Sequence, residues 1–294
     1  MKQKKIFTLL ATAILSMGIL TGCGADENAP WDPTMDITIV SREDGSGTRG
    51  AFVELFEIEE TDASGEVFDM TTDEAQITNN TAVMMTTVAG DEYAIGYISL
   101  GSLNDTVRPV KIDGIEPTVE NIKNGIYKVA RPFMIATRKD NENPAMDAFI
   151  SFIMSKEGQA IVSENGYIST DDAKPFEGSS EGGKVVIGGS SSVFPVIEKM
   201  IEAYKVENPN ANIELQATDS TTGMLSTIEG SYDIGLASRN MKENEVEAGL
   251  ESQVIAMDGI VIVTNHDSAI HELSSEQVQK IYKGGAYTWS EVLE

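Results

Sequence analysis

Arg42, Ser46 and Thr48 stand close together in the stretch ITIVSREDGSGTRGAF, residues 37–52, with glycines at 45 and 47. An arginine supplies a fork of donors, and two hydroxyls add more. Glycines let the backbone approach a ligand closely. Residues 37–40 are apolar and predict a strand, and residues 48–56 predict a helix. A strand that turns through Gly and Ser into a helix start aims unpaired N–H groups, and the positive end of the helix dipole, at one point. Such a point suits an anion. An N-capped helix after a tight turn accounts equally well for the Gly/Ser pattern by itself. The same device recurs, however. Val185–Ile187 leads through Gly188-Gly189-Ser190-Ser191-Ser192 into a helical run from Val193 to Glu207. Ile213–Ala217 leads through Thr218-Asp219-Ser220-Thr221-Thr222-Gly223 into a short helix ending at Ile228. Three such junctions predict one oxyanion site built from backbone N–H groups and hydroxyls.

Other chemistries fare poorly. Ser46 lies between glycines, but Gly45-Ser46-Gly47 lacks the spacing of a nucleophile elbow. The two histidines, His266 and His271, fall outside every motif. No Cys/His set with metal-ligand spacing and no P-loop is present, so neither a metal nor a cofactor is expected, and no catalytic residue is assigned. The formal charge of −26 over 294 residues argues against nucleic acid or an anionic membrane surface as partner. An anion must therefore be held by local donors against a repelling overall field.

The N-terminus reads as a targeting segment. Lys2, Lys4 and Lys5 precede a short apolar run, residues 6–20, which ends in Leu20-Thr21-Gly22-Cys23 and resembles a bacterial lipobox. That resemblance implies a signal peptide over residues 1–22, cleavage before Cys23, and a lipid on Cys23 that anchors an extracytoplasmic protein to the cell membrane. Losing those three lysines would take the charge from −26 to −29. Cys23 is the only cysteine, so no internal disulfide is expected. Residues 23–36 read as a tether.

Between these landmarks strands alternate with helices, which makes the fold α/β. Helices are expected over residues 74–88 and, strongly amphipathic, over residues 144–165. Residues 170–183, TDDAKPFEGSSEGG, read as a linker. In α/β folds ligands sit beyond the carboxyl ends of the strands, where helix starts converge.

SREDGSGTRGAF, GGSSSVFP, DIGLASR, AIGYISLGSL and FISFIMSKEGQAIV together resemble the phosphate-binding lipoproteins of phosphate-specific ABC transporters, the PstS type. The resemblance covers nearly all of residues 37–169 and 184–294. It implies a type II, periplasmic-binding-protein-like fold of two α/β lobes that close on inorganic phosphate and deliver it to permease subunits. The segment order differs from the family's, in which the GSSSVFP-type segment comes first. A circular permutation is therefore expected, with 170–183 joining the ancestral termini; a truncated tandem duplication is the rival. One lobe would be split, residues 37–106 plus 265–294, and the other continuous, 107–264, with hinges near 101–108 and 262–266.

Carried over by motif position, the resemblance implies that Arg42 pairs with phosphate. Ser46, Gly47 and Thr48 donate from the first helix start, Ser191 and Ser192 with the Val193 N–H from the second, and Ser220 and Thr221 from the third, with Ser238 nearby. Asp44 would orient Arg42 or cap the helix. Some family members carry an acid just after the serine of the DIGLAS-type strand, where it accepts a proton from phosphate and so disfavours sulfate. This chain has Arg239 there. Discrimination would then fall to Asp219 or Asp44, or be weaker. Another tetrahedral oxyanion such as sulfate, or a phosphate sensor or scaffold without transport, remain the alternative readings.

Overall fold

A computed structural model describes residues 30–63, 66–170 and 173–294. The expected signal peptide and Cys23 lie outside the described residues. Among the described residues no helix is long and apolar enough to cross a membrane.

Eight strands carry the architecture: β1 (Thr38–Arg42), β2 (Gln76–Thr78), β3 (Ala94–Ser99), β4 (Ala130–Arg138), β5 (Gly183–Ser190), β6 (Ala211–Thr218), β7 (Ile234–Ala237) and β8 (Leu250–Thr264). Their order across the sheet is β6-β5-β7-β4-β8-β3-β1-β2. Within each half the pairs β5/β6, β5/β7, β1/β3 and β1/β2 are parallel, while β8 runs antiparallel to both β4 and β3. The long strand β8 is shared. Its residues 250–259 pair with β4, and its residues 260–264 pair with β3. One sheet thus serves two cores. The first gathers Val40, Phe52, Tyr97, Ile262, Tyr282 and Trp289, and the second Phe133, Phe149, Ile187, Ile197, Tyr204 and Leu236.

The two cores are the two lobes, with one correction to their bounds. Val107, Val110, Ile112, Ile122, Tyr127 and Val129 pack with the first core, so the chain crosses between lobes at residues 129–131 and 258–260. The segment after β3 looked like the start of a new lobe because its short strands, Arg108–Pro109 and Lys111–Ile112, sit at the edge of the first. At the crossing Arg131 faces Asp258 in the strand register, and both are fully buried.

Helices fill the connections: α1 (Gly47–Leu55), α2 (Thr81–Ala89), α3 (Pro144–Ile153), α4 (Lys156–Glu164), α5 (Phe194–Glu207), α6 (Ser220–Ile228) and α7 (Ser275–Tyr282). Two depart from expectation. The helix predicted from residue 74 starts at Thr81, because Gln76–Thr78 pairs with β1 as an edge strand and Asn80 caps the helix by accepting the Val83 N–H at 2.9 Å. The single helix predicted over residues 144–165 is two. Ser155 caps α4 by accepting the Gly158 N–H at 3.2 Å, and Gly158 sits against the Phe152 and Ile153 carbonyls where a Cβ would clash.

The expected tether is ordered from Trp31 on. Trp31 stacks on Tyr93 with ring centroids 5.7 Å apart and donates to the Glu92 carbonyl. Ile37 N–H donates to the Tyr287 carbonyl at 2.8 Å, and Asp36 bridges Thr288, so the two ends of the folded body are neighbours. The expected linker is a strap and not a loose tether. Lys156 N–H donates to the Lys174 carbonyl, Phe176 N–H to the Glu157 carboxylate, and the Phe176 ring lies edge-on to Phe152.

Candidate functional site

Strands β1, β2, β5, β6 and β7 all end at the cleft between the lobes, and each turn there places a hydroxyl or a helix start. The junction after β1 carries Arg42, whose side chain is 2 % exposed. Its Nε and Nη2 donate to the two Glu43 carboxylate oxygens, each at 2.7 Å, and Nη2 also donates to Ser191 Oγ at 3.1 Å across the cleft. Tyr97 accepts the Arg42 N–H and exchanges a 2.8 Å bond with Ser41, which pins the turn; burial pushes the Tyr97 hydroxyl up to about 12, so it stays protonated. Phe52 stacks flat on Tyr97 with centroids 3.9 Å apart, fixing α1 to the same strand.

Ser46 caps α1. Its Oγ accepts the Arg49 N–H at 3.3 Å, which leaves the hydroxyl proton to donate elsewhere. Thr48 Oγ1 lies 2.9 Å from Ser192 Oγ of the other lobe. On the facing side, Ser190 donates to Ser238 Oγ at 2.9 Å, and the Ser238 N–H donates to Ser220 Oγ at 3.1 Å. Gly47 lies where the lobes press together: a Cβ there would lie 2.3 Å from Ser220 Oγ and 2.8 Å from Ser238 Oγ. Arg42, Ser46, Gly47, Thr48, Ser191, Ser192, Ser220 and Ser238 therefore form one cluster, held by the starts of α1, α5 and α6. A Gly47→Ala substitution is expected to leave thermal stability near that of the wild type and to weaken anion binding at least tenfold, because the lobes could no longer meet. Equal affinity in a titration of the two proteins would contradict this.

The remaining predicted residues go elsewhere. Val193 N–H donates to the Ser190 carbonyl at 3.0 Å, because Val193 already has helical dihedrals and closes the turn. Thr221 N–H donates to the Gly45 carbonyl at 3.1 Å, so it joins the lobes and does not face the cleft as a free donor. Asp44 is exposed and accepts from Arg49 Nη1 at 2.6 Å; it neither orients Arg42 nor caps α1. Asp219 caps α6, with Oδ1 on the Thr222 N–H and Oδ2 on the Thr222 hydroxyl. Arg239 is turned away onto buried Glu245, at 2.6 and 3.0 Å, and donates to the Asn240 carbonyl.

Sequence reasoning missed two members. Glu43 holds the Arg42 fork, and Thr81, first residue of α2, lies 3.4 Å from Ser192 Oγ and brings a fourth helix start to the cleft. The Asn79-Asn80-Thr81 run was the available signal for Thr81. His266 lies on the surface with Nε2 2.9 Å from the Asp105 carbonyl. Among the described residues no group of His, Cys, Asp and Glu could hold a metal.

The PBP superfamily domain model matches residues 13–157 and 175–294. The phosphate-binding protein PstS 2 of Streptococcus agalactiae serotype V is 49% identical over 99% of both chains. The chain belongs to the PstS family. The PstS 2 protein of Streptococcus pneumoniae serotype 4 is 36% identical over 99% of this chain and 100% of its own. A crystal structure of a phosphate-binding protein of a phosphate ABC transporter from Streptococcus pneumoniae superposes with a TM-score of 0.69 at 36% identity, covering 87% of this chain and 99% of that one. These PstS relatives align end to end in this chain's own segment order.

Proposed function

We propose that the protein is an extracytoplasmic solute-binding lipoprotein that captures inorganic phosphate between its lobes and hands it to an ABC transporter permease. The observation that carries this reading is the Arg42 cluster: a buried guanidinium, at least five hydroxyls and the starts of four helices converge between two lobes. Phosphate offers four oxygens to such donors, and each charge-assisted bond is worth roughly 1.5–3 kcal/mol. A few suffice for micromolar binding, about −8 kcal/mol. The phosphate-binding proteins among its relatives support the choice of phosphate. The lobes would close by hinge motion about the crossings at 129–131 and 258–260. Equilibrium dialysis of labelled phosphate tests the reading; absence of retained label would overturn it.

Cleavage before Cys23 and a lipid on its thiol would hold the protein at the outer face of the membrane, in reach of a permease. The order of segments is best read as a circular permutation. Adjacent ends at Ile37 and Tyr287 and an irregular strap over 173–182 both fit that reading.

Selectivity falls to Glu43. Asp44 is exposed and committed to Arg49. Asp219 lines the cleft too, but both its oxygens are taken by Thr222, whereas Glu43 lines it beside Ser191 and its carboxylate is held, among the described residues, only by Arg42. A carboxylate oxygen retains acceptor capacity after one bond from Arg42. It can accept a hydrogen bond from the P–OH of hydrogen phosphate and finds no such donor on sulfate, leaving unmatched lone pairs. Glu43→Gln, whose amide donates, is expected to cut the phosphate-over-sulfate preference at least tenfold in competition dialysis. An unchanged preference would remove Glu43 from this role.

A further inference from the structure

The cleft is larger than its anion. Next to the Arg42 cluster lies a cavity of about 660 Å³. By the same kind of measure one water needs roughly 10–15 Å³, so a phosphate of five heavy atoms fills on the order of 50–75 Å³. The remaining space falls within the roughly 300–1,000 Å³ of small-molecule pockets. This room persists while Thr48–Ser192, Arg42–Ser191 and Thr221–Gly45 already join the two lobes.

The walls of the cavity mix polar side chains, Asn79, Asn80 and Asp219 among them, with apolar ones. Glu43, Thr81 and Ser191 belong to the anion cluster, whereas Met85, Phe194 and Pro195 add apolar surface from α2 and the first turn of α5. Apolar side chains beside hydrogen-bonding ones of the anion cluster match a ligand with an anionic head and a carbon substituent. A thioether and an aromatic ring favour a flat or aryl group in particular.

We propose that this cleft also accepts phosphate monoesters, the phosphoryl group in the Arg42 cluster and a small organic group against Met85 and Phe194. The proposal rests on the phosphate reading above. A monoester keeps three terminal oxygens, and its monoanion, populated near and below its second pKa of about 6, keeps the P–OH that Glu43 accepts from, so Arg42, Glu43 and the helix starts meet almost the same head group. Only the bridging oxygen must face the cavity, and the gap between α2 and α5 gives it an exit.

The experiment is displacement of labelled phosphate from the purified protein by phenyl phosphate, with phenyl sulfate as control, repeated on Ala217→Trp. Ala217 is exposed and lines the cavity outside the anion cluster. The expected result is displacement by phenyl phosphate within about a hundredfold of the concentration needed for unlabelled phosphate, with phenyl sulfate ineffective. In Ala217→Trp, phenyl phosphate should lose at least tenfold while phosphate changes less than twofold. Phosphate binding that a thousandfold excess of phenyl phosphate leaves untouched would overturn the proposal and spare the phosphate reading. Equal displacement by phenyl phosphate in wild type and Ala217→Trp would overturn the placement of the organic group. Direct binding of phenyl phosphate without binding of phosphate would support the ester and overturn phosphate as ligand. Binding of neither would overturn both.

Discussion

Arg42→Ala is expected to abolish phosphate binding, with a loss of at least a hundredfold. Among the described residues the Arg42 guanidinium is the one whose donors reach the cleft hydroxyls, and it is buried. Losing two charge-assisted bonds removes roughly 3–6 kcal/mol, and each 1.4 kcal/mol is about tenfold in affinity. A second effect adds to the first. Glu43 now shares its charge with Arg42 through two 2.7 Å bonds. Without the arginine, that carboxylate would stand uncompensated beside the anion, in a protein whose net charge already repels it. Arg42→Lys keeps the charge and loses the fork, so an intermediate loss is expected. Titration calorimetry of the three proteins measures both; wild-type affinity in Arg42→Ala would contradict the assignment.

Asp258→Ala is expected to destabilise the fold by about 3–5 kcal/mol, the usual consequence of stripping the partner from a buried charge. Arg131 and Asp258 face each other where the chain crosses between lobes, at 3.1 Å, with side-chain exposures of 1% and 0%. Ser99 donates to the same carboxylate at 2.8 Å. A drop in melting temperature of several degrees should appear in a thermal scan. The pH dependence carries a further sign. Burial pushes Asp258 up to about 6, and it outweighs the pull of Arg131 and the Ser99 bond. A folded value raised above the unfolded one means that the unfolded chain ionises first as pH rises. This group's contribution is therefore most favourable below about pH 4 and falls through the window up to about 6. Between pH 4 and 6.5 the stability of Asp258→Asn relative to wild type should shift in the variant's favour, since asparagine does not titrate. A flat or opposite difference would show that Arg131 and Ser99 dominate the carboxyl.

What the sequence showed plainly was local. Arg42, Ser46 and Thr48 sit on one strand–turn–helix junction, so their spacing alone brings them to one helix start. The repeated junctions at Ser192 and Ser220 then pointed to the same kind of site, and the structure brings all three together. Thr81 was hidden because Ile77, Val83, Met84 and Val88 fit a helical period that runs through a three-residue edge strand. The break at Ser155 was hidden likewise, since apolar spacing continues across two helices that share a core face. Which of two neighbouring carboxylates serves Arg42 depends on how the turn points them. Glu43 faces the cleft, and Asp44 faces Arg49 and solvent. The fate of Arg239 needed knowledge of Glu245, six residues on and folded back beneath it. The lobe boundary is non-local in the same way. Val107–Val129 choose their core through contacts with residues 260–292, far along the chain.

Titration calorimetry of the purified protein with inorganic phosphate, followed by sulfate, tests the central claim most directly. One phosphate per chain, at micromolar affinity or tighter and not displaced by sulfate, is the predicted result. No heat with either anion, from protein shown to be folded by its thermal transition, would contradict it.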